Sequence, residues 1–173
     1  MRTNMHFEKI SFEQWVKDYN KTFATDALHT YDVEGAYKAI KLPKQGTARS
    51  MGMDFFAPED VTILPDNDVL IPTGIRWVVN PIDNKLGLII VPRSGLGFKY
   101  GIRLVNTLGI IDADYQYTDN EGHIMIKLFN PSKERIKIKQ GQGFAQGIVT
   151  PFFICDGAES DEGRTGGFGS TGQ

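Results

Sequence analysis

Leu86-Gly87-Leu88-Ile89-Ile90-Val91-Pro92-Arg93-Ser94-Gly95-Leu96-Gly97 is the stretch that decides the fold. It predicts a strand at Leu86–Val91, whose run from Leu88 to Val91 is apolar throughout, the pattern of a strand buried on both faces. Its second half stops the strand at a proline and leaves a cation, a hydroxyl and flexible backbone at the strand's end. Similar short runs, split by Pro, Gly, Asn and Asp, fill the chain from Lys38 onward. They predict further strands at Lys38–Leu42, Met53–Phe56, Val61–Leu64, Gly74–Val79, Ile124–Asn130, Arg135–Ile138 and Phe144–Thr150. Arg135-Ile136-Lys137-Ile138 alternates polar and apolar, so that strand should be half exposed. Many short strands at regular spacing predict an all-β domain, a jelly-roll-like distorted barrel.

The ends of the chain read differently. Ser11-Phe12-Glu13-Gln14 is a Ser-x-x-Gln capping box. Phe12, Trp15, Val16, Tyr19 and Phe23 follow at helical spacing and predict a helix laid on the main body, with Ala24 to Tyr37 as its linker. Beyond Pro151, an acidic stretch of small residues at 156–163 precedes Arg164-Thr165-Gly166-Gly167-Phe168-Gly169-Ser170-Thr171-Gly172, a composition expected to be disordered when free. The expected division is a helical extension at 1–37, a β core at 38–156 and a flexible arm at 157–173.

Composition excludes several classes of function. The 173 residues carry a net charge of -2, so no broad basic field invites nucleic acid or an anionic membrane. The one cysteine, Cys155, can form no internal disulfide and fits a reducing compartment. Neither a signal core nor a run of membrane-spanning length is present, which predicts a cytoplasmic location. His6, His29 and His123 lack metal-ligand spacing.

Five stretches carry chemistry. In Gly101–Gln116, Gly101 and Gly109 permit the bends of a hairpin over a small ligand. In the same stretch Asp112, directly after Ile110-Ile111, is expected to be partly desolvated. Asp54 follows Gly52 in an apolar strand. Arg93, Ser94 and Gly95 end the central strand, Gln146 stands in a Gly-rich turn region, and the tail offers Arg164, Phe168, Ser170 and Thr171. Guanidinium, hydroxyl and glycine N–H groups bind phosphate oxygens, while acids bind a metal or its waters. Phe168 could stack on a base and Asn106 could bond its edge. Neither a Walker pattern nor a dinucleotide fingerprint is present.

Together and in this order, Pro92–Gly97, Asn106–Tyr115 and Arg164–Gly172 resemble the motifs of the trimeric all-β dUTPases, over roughly residues 38 to 173. The resemblance implies a homotrimer whose three active sites are each shared by all three chains. It implies hydrolysis of dUTP to dUMP and pyrophosphate with Mg2+, keeping uracil out of DNA and supplying dUMP. Asp112 would be the general base and contact the 3′-hydroxyl. Tyr115 would pack under the deoxyribose, Asn106 and main-chain groups at Ile110 and Ile111 would read uracil, and Met125 would line that pocket. Arg93, Ser94, Gly95 and Gln146 would hold phosphates, with Ser94 near the α–β bridging oxygen. Asp54 would bond waters around the magnesium. Arg164, Phe168, Gly169, Ser170 and Thr171 would close over a neighbouring site as a lid.

The chain departs from the family pattern at three places. Gly143 stands where an Arg is usual, removing a cation. Tyr117–Glu121 intervenes before Gly122 and is expected to project into water. The segment before Lys38 is absent from compact members; extra segments of this kind occur in some bacteriophage members, whose enzyme would work in the host cytoplasm. The related dCTP deaminases share the fold, but the Asp112–Tyr115 spacing and the tail motif favour hydrolysis. A regulatory protein partner is the reading from another class, with the N-terminal helix and the 117–121 insertion as the features that could serve it.

Overall fold

Eleven strands and three helices are laid out in a computed structural model that describes residues 5–23, 32–80, 85–158 and 160. Four strands, β1 (Met5–Lys9), β5 (Asn67–Val79), β9 (His123–Asn130) and β7 (Arg103–Leu104), form one antiparallel sheet in the order β1-β5-β9-β7. The second sheet runs β2 (Lys44–Gln45), β3 (Met53–Phe56), β11 (Gly143–Pro151), β6 (Leu86–Pro92) and β8 (Gly109–Asp112). A separate pair, β4 (Val61–Ile63) with β10 (Ile136–Ile138), completes the all-β architecture. The core cluster draws Ile71, Ile75, Ile124, Ile126 and Leu128 from the first sheet. From the second come Phe55, Leu88, Ile90, Ile111 and Ala145. Along β10 the expected alternation holds, with Ile136 and Ile138 buried and Lys137 exposed.

The central strand does not behave as its composition suggests. Leu88 and Ile90 are fully buried, but Ile89 and Val91 are half exposed, so β6 alternates like a strand covered on one face. Its outward residues continue across neighbours: Ile89 stands opposite Ile148 on β11 and Ile110 on β8.

The N-terminal segment is built into the barrel rather than laid on it. Strand β1 pairs with β5 from Met5–Val79 to Lys9–Ile75, and helix α1 (Phe12–Phe23) buries Trp15 and Tyr19 completely. Lys38–Leu42 is not a strand: α2 (Val33–Ala39), capped by the Asp32 carboxylate on Gly35 N–H, ends there. Its short period was masked by Gly35 and by the polar residues around it. Residues 24–31 of the expected linker lie outside the described residues.

The helix cap explains the insertion. Ser11 Oγ accepts from Gln14 N–H at 3.1 Å, the first half of a capping box. The return half comes from Glu121, not Gln14: its carboxylate accepts from Ser11 N–H at 2.8 Å and from Ser11 Oγ at 2.6 Å. Tyr117–Glu121 therefore does not project freely into water. Thr118 is buried, and Asn120 bonds both Thr118 and Tyr115. Gly122 closes the loop at φ +72°, where a Cβ would lie 2.7 Å from Gln116 Cα, so no larger residue fits.

A second tie lies deeper. His123, fully buried, accepts Gly74 N–H on Nε2 at 2.8 Å, which leaves its proton on Nδ1, 2.7 Å from Asp18 Oδ2. Burial raises the Asp18 pKa, but the bonds from His123 and Gln14 outweigh it and hold the carboxyl below its ordinary 3.8. The Ser11 hydroxyl and N–H likewise hold Glu121 below its ordinary 4.5. A carboxylate depressed in the folded state adds stability above its unfolded pKa, and that stability is lost as pH falls through the folded value. Acidification below about pH 4 is thus expected to loosen α1 first. Trp15 fluorescence followed against pH should show this, and Glu121→Gln should flatten the acid limb. A limb identical to the parent's would remove Glu121 from the account.

Candidate active site

Residues Gly101 to Gln116 leave one sheet and enter the other. Gly101 ends α3 (Ser94–Tyr100) in the left-handed conformation, β7 pairs with β9, and β8 pairs with β6. The two short strands thus never pair with each other, and the expected hairpin is an arch between sheets. Gly109 supplies room rather than a bend, since a Cβ there would come 2.9 Å from Ile90 Cβ.

Under this arch lies a cavity of about 300 Å³ lined by Leu104, Asn106, Gly109, Ile111, Met125 and Lys127, among others. Asn106 is the uncharged polar side chain among apolar walls, a composition suited to one flat heterocycle. Tyr115 does not line this cavity. It is 3 % exposed, its hydroxyl donating to His123 O at 3.0 Å and accepting from Asn120 Nδ2 at 2.9 Å. Within one chain Asp112 is exposed, because the alternation of β8 turns Gly109 and Ile111 inward and Ile110 and Asp112 outward.

A second cavity, about 450 Å³, is lined by Arg93, Ser94, Gly95, Leu96, Lys99, Tyr100, Gln142 and Gly143. Its charge is cationic, from Arg93 and Lys99, and its aliphatic hydroxyl is that of Ser94, where β6 passes into α3. Arg93 Nη2 stands 3.4 Å from Asp54 Oδ2, and Gln146 Nε2 donates to Asp54 Oδ1 at 2.8 Å. Asp54, Gln146 and Arg93 were read as separate stretches, yet strand pairing makes them one cluster: Gln146 is opposite both Asp54 and Val91. Gly143 borders the same cluster, and a Cβ there would lie 3.4 Å from Arg93 Nη1. Lys99 and Gln142 were not anticipated. Lys99 lies in what composition marks as a flexible Gly-rich loop, which forms α3 instead.

The two cavities share no residue. From Gly87, the partner of Asp112, to Ser94 is seven residues, or about 23 Å of strand at roughly 3.3 Å per residue. Arg164, Phe168, Gly169, Ser170 and Thr171 lie outside the described residues. The insertion and the N-terminal helix, the features that could serve a regulatory partner, bind each other.

An antiparallel two-sheet barrel with a cationic, hydroxyl-bearing pocket and a separate heterocycle-sized pocket has the chemistry to receive the phosphates and the base of a nucleoside triphosphate. A dUTPase family profile matches residues 38–172. The deoxyuridine 5′-triphosphate nucleotidohydrolase of Lactococcus lactis is 39% identical over 150 residues, 84% of this chain and 98% of that protein. That of Shewanella piezotolerans is 42% identical over 138 residues, 76% of this chain and 86% of that one. The crystal structure of dUTPase from Streptococcus mutans superposes with a TM-score of 0.63 at 28% identity, covering 88% of this chain and 99% of that one. The chain belongs to the dUTPase family.

Proposed function

We propose that this dUTPase, which hydrolyses dUTP to dUMP and pyrophosphate, does so at sites shared between the copies of a homotrimer, Asp112 of one copy working beside Ser94 of another. The observation that carries the proposal is the separation of the two residues by the length of β6 within one chain. The outward row Ile110–Ile89–Ile148 supports it: an apolar row crossing three strands calls for another surface to cover it.

In such a site Asp112 accepts the proton of the water that attacks the α-phosphorus. Asn106 and main-chain groups at Ile110 and Ile111 read the uracil edge, with Met125 as a wall. Rejection of cytosine follows because the buried partners of uracil's carbonyls would be left unpaired. Tyr115 holds the floor beneath the deoxyribose. Arg93, Ser94 and Gly95 bind the phosphates, with the Ser94 hydroxyl donating where charge develops at the α–β bridging oxygen. Gln146 reaches a phosphate with the amide hydrogen that Asp54 does not use. Arg164, Phe168, Gly169, Ser170 and Thr171 close over the nucleotide and exclude water.

Asp54 fits magnesium as an outer-sphere partner. Each of its oxygens already takes one bond, from Gln146 or Arg93, and keeps lone pairs for water. Among the described residues no group of three acids, histidines or cysteines could cage an ion directly, so the triphosphate would supply the direct ligands. When bound, Mg2+ would neutralise the phosphate charge that Arg93 alone only partly offsets.

Mixing tests the shared site. Ser94→Ala and Asp112→Asn proteins, each almost inactive, are unfolded together and refolded. Random assortment should restore about a quarter of the sites, each with one intact face from either parent. No recovery at any mixing ratio would mean that both residues act within one chain.

A further inference from the structure

We propose that Asp18, on the N-terminal helix, and Glu121, at its cap, are positioning residues for Tyr115 and thereby set the discrimination between deoxyribose and ribose. This rests on the reading above that Tyr115 lies under the sugar. No described residue of the helix lines either cavity, yet two bonds of the Tyr115 hydroxyl lead toward it. The hydroxyl donates to the carbonyl of His123 and accepts from Asn120. His123 is fully buried and is held by its ring, between Gly74 N–H and the Asp18 carboxylate. Asp18 is itself fixed by Gln14, whose amide donates to Oδ2 at 2.6 Å, and by the helix that buries Trp15 and Tyr19. Asn120 sits one residue before Glu121, which clamps Ser11 at the start of that helix.

The loop between these two ties is short and strained in the same direction. Glu121 takes φ +59° and Gly122 φ +72°, left-handed backbone that a non-glycine residue adopts only when neighbouring contacts impose it. Here the contacts are the two Ser11 bonds together with the turn's own bonds, Glu121 N–H to Thr118 O at 2.9 Å and Gly122 N–H to Asn120 Oδ1 at 3.2 Å. Releasing Glu121 removes the part of that hold supplied by the helix and frees Asn120 to shift within the turn. Releasing Asp18 leaves His123 Nδ1–H buried without that acceptor, which pulls the ring, and through it the His123 backbone that β5 pairs opposite Arg76, away from its present place. A steric gate against a 2′-hydroxyl works over a fraction of an ångström, whereas binding of the base and phosphates tolerates more. The ratio of kcat/KM for dUTP to that for UTP is therefore the sensitive readout, and loss of stability alone would not move it.

The test uses the full chain with Asp18→Ala, Asp18→Asn, Glu121→Ala and Tyr115→Ala, measuring that ratio and the Tm of each. Asp18→Ala and Glu121→Ala should lower the ratio about tenfold or more, as small displacements near a reacting substrate do. Asp18→Asn, which keeps an oxygen facing His123, should restore most of it. Glu121→Ala serves if Asp18→Ala fails to fold, since Glu121 is only half buried. If Tyr115→Ala lowers the ratio while Asp18→Ala and Glu121→Ala lower only Tm, the positioning role is overturned and the sugar contact stands. If Tyr115→Ala leaves the ratio unchanged, the sugar contact and the positioning role fall together.

Discussion

Asp112→Asn is expected to bind dUTP nearly as the parent does and to turn it over about 10²–10⁴-fold more slowly, the usual worth of a positioned general base. At 1.36 kcal/mol per factor of ten, that is roughly 3–5 kcal/mol of transition-state stabilisation. The substitution is isosteric, and Asp112 is exposed at the end of β8, so neither packing nor the β6–β8 pairing changes. What changes is that an amide cannot take a proton from water. The loss should fall on kcat with little change in KM, as when an interaction made only in the transition state is removed. Pyrophosphate release measured with dUTP, UTP and the four common deoxynucleoside triphosphates gives both values and the specificity at once. Turnover equal to the parent's would take the base assignment away from Asp112, and with it the requirement that two copies meet at one site.

Most of the strands were legible because their signals are local. Val61–Ile63, Leu86–Pro92, His123–Asn130 and Gly143–Pro151 each carry an apolar run bounded by turn residues, and each forms within a residue or two of its expected limits. The missed elements lack that signal. Arg103–Leu104 is two residues long, and Ser94–Tyr100 contains two glycines, so neither period nor propensity marks them. Strand β1 reads His6-Phe7-Glu8-Lys9 and owes its place to pairing with β5 and to the Glu8–Arg76 bond, at 2.7 Å from Nε, a partner 68 residues away. The full burial of β6 on a single face has the same origin, since the described residues leave Ile89 and Val91 half exposed.

The site divides along similar lines. Residue types could be read directly: a carboxylate, a hydroxyl, a guanidinium and a carboxamide in glycine-rich surroundings. Their grouping could not. Arg93, Asp54 and Gln146 meet through the order β3-β11-β6, a matter of which strand lies between which, and nothing local encodes it. Which way Asp112 faces within one chain follows from a simpler rule than its neighbours suggest. Two isoleucines before an acid look like an apolar setting, but a strand sends alternate side chains to opposite faces, so only Ile111 goes inward. Glu121 shows the reverse error: an acid in a polar insertion looks solvated, while its oxygens are committed to a helix cap 110 residues away.

Trp15→Ala is expected to cost about 3–5 kcal/mol, a large share of the 5–15 kcal/mol that holds a domain of this size folded. The indole is fully buried, packs 5.1 Å from the Tyr19 ring and 6.5 Å from His123, and donates from Nε1 to Val33 O at 3.0 Å. Truncation therefore opens a cavity beside the His123–Asp18 pair and removes the bond that ties Trp15 to the first turn of α2. It also loosens the joint at which α1, α2 and β5 meet, because Ile40 and Trp15 both close on Gly74. Urea unfolding at fixed protomer concentration, where oligomer linkage is held constant, should show the midpoint falling by about 1.5–2.5 M for an m-value near 2 kcal/mol/M. A helix merely resting on the barrel would lose its own order with the midpoint almost unmoved. A midpoint within about 0.3 M of the parent would mean that α1 contributes little to the cooperative core, whatever its burial.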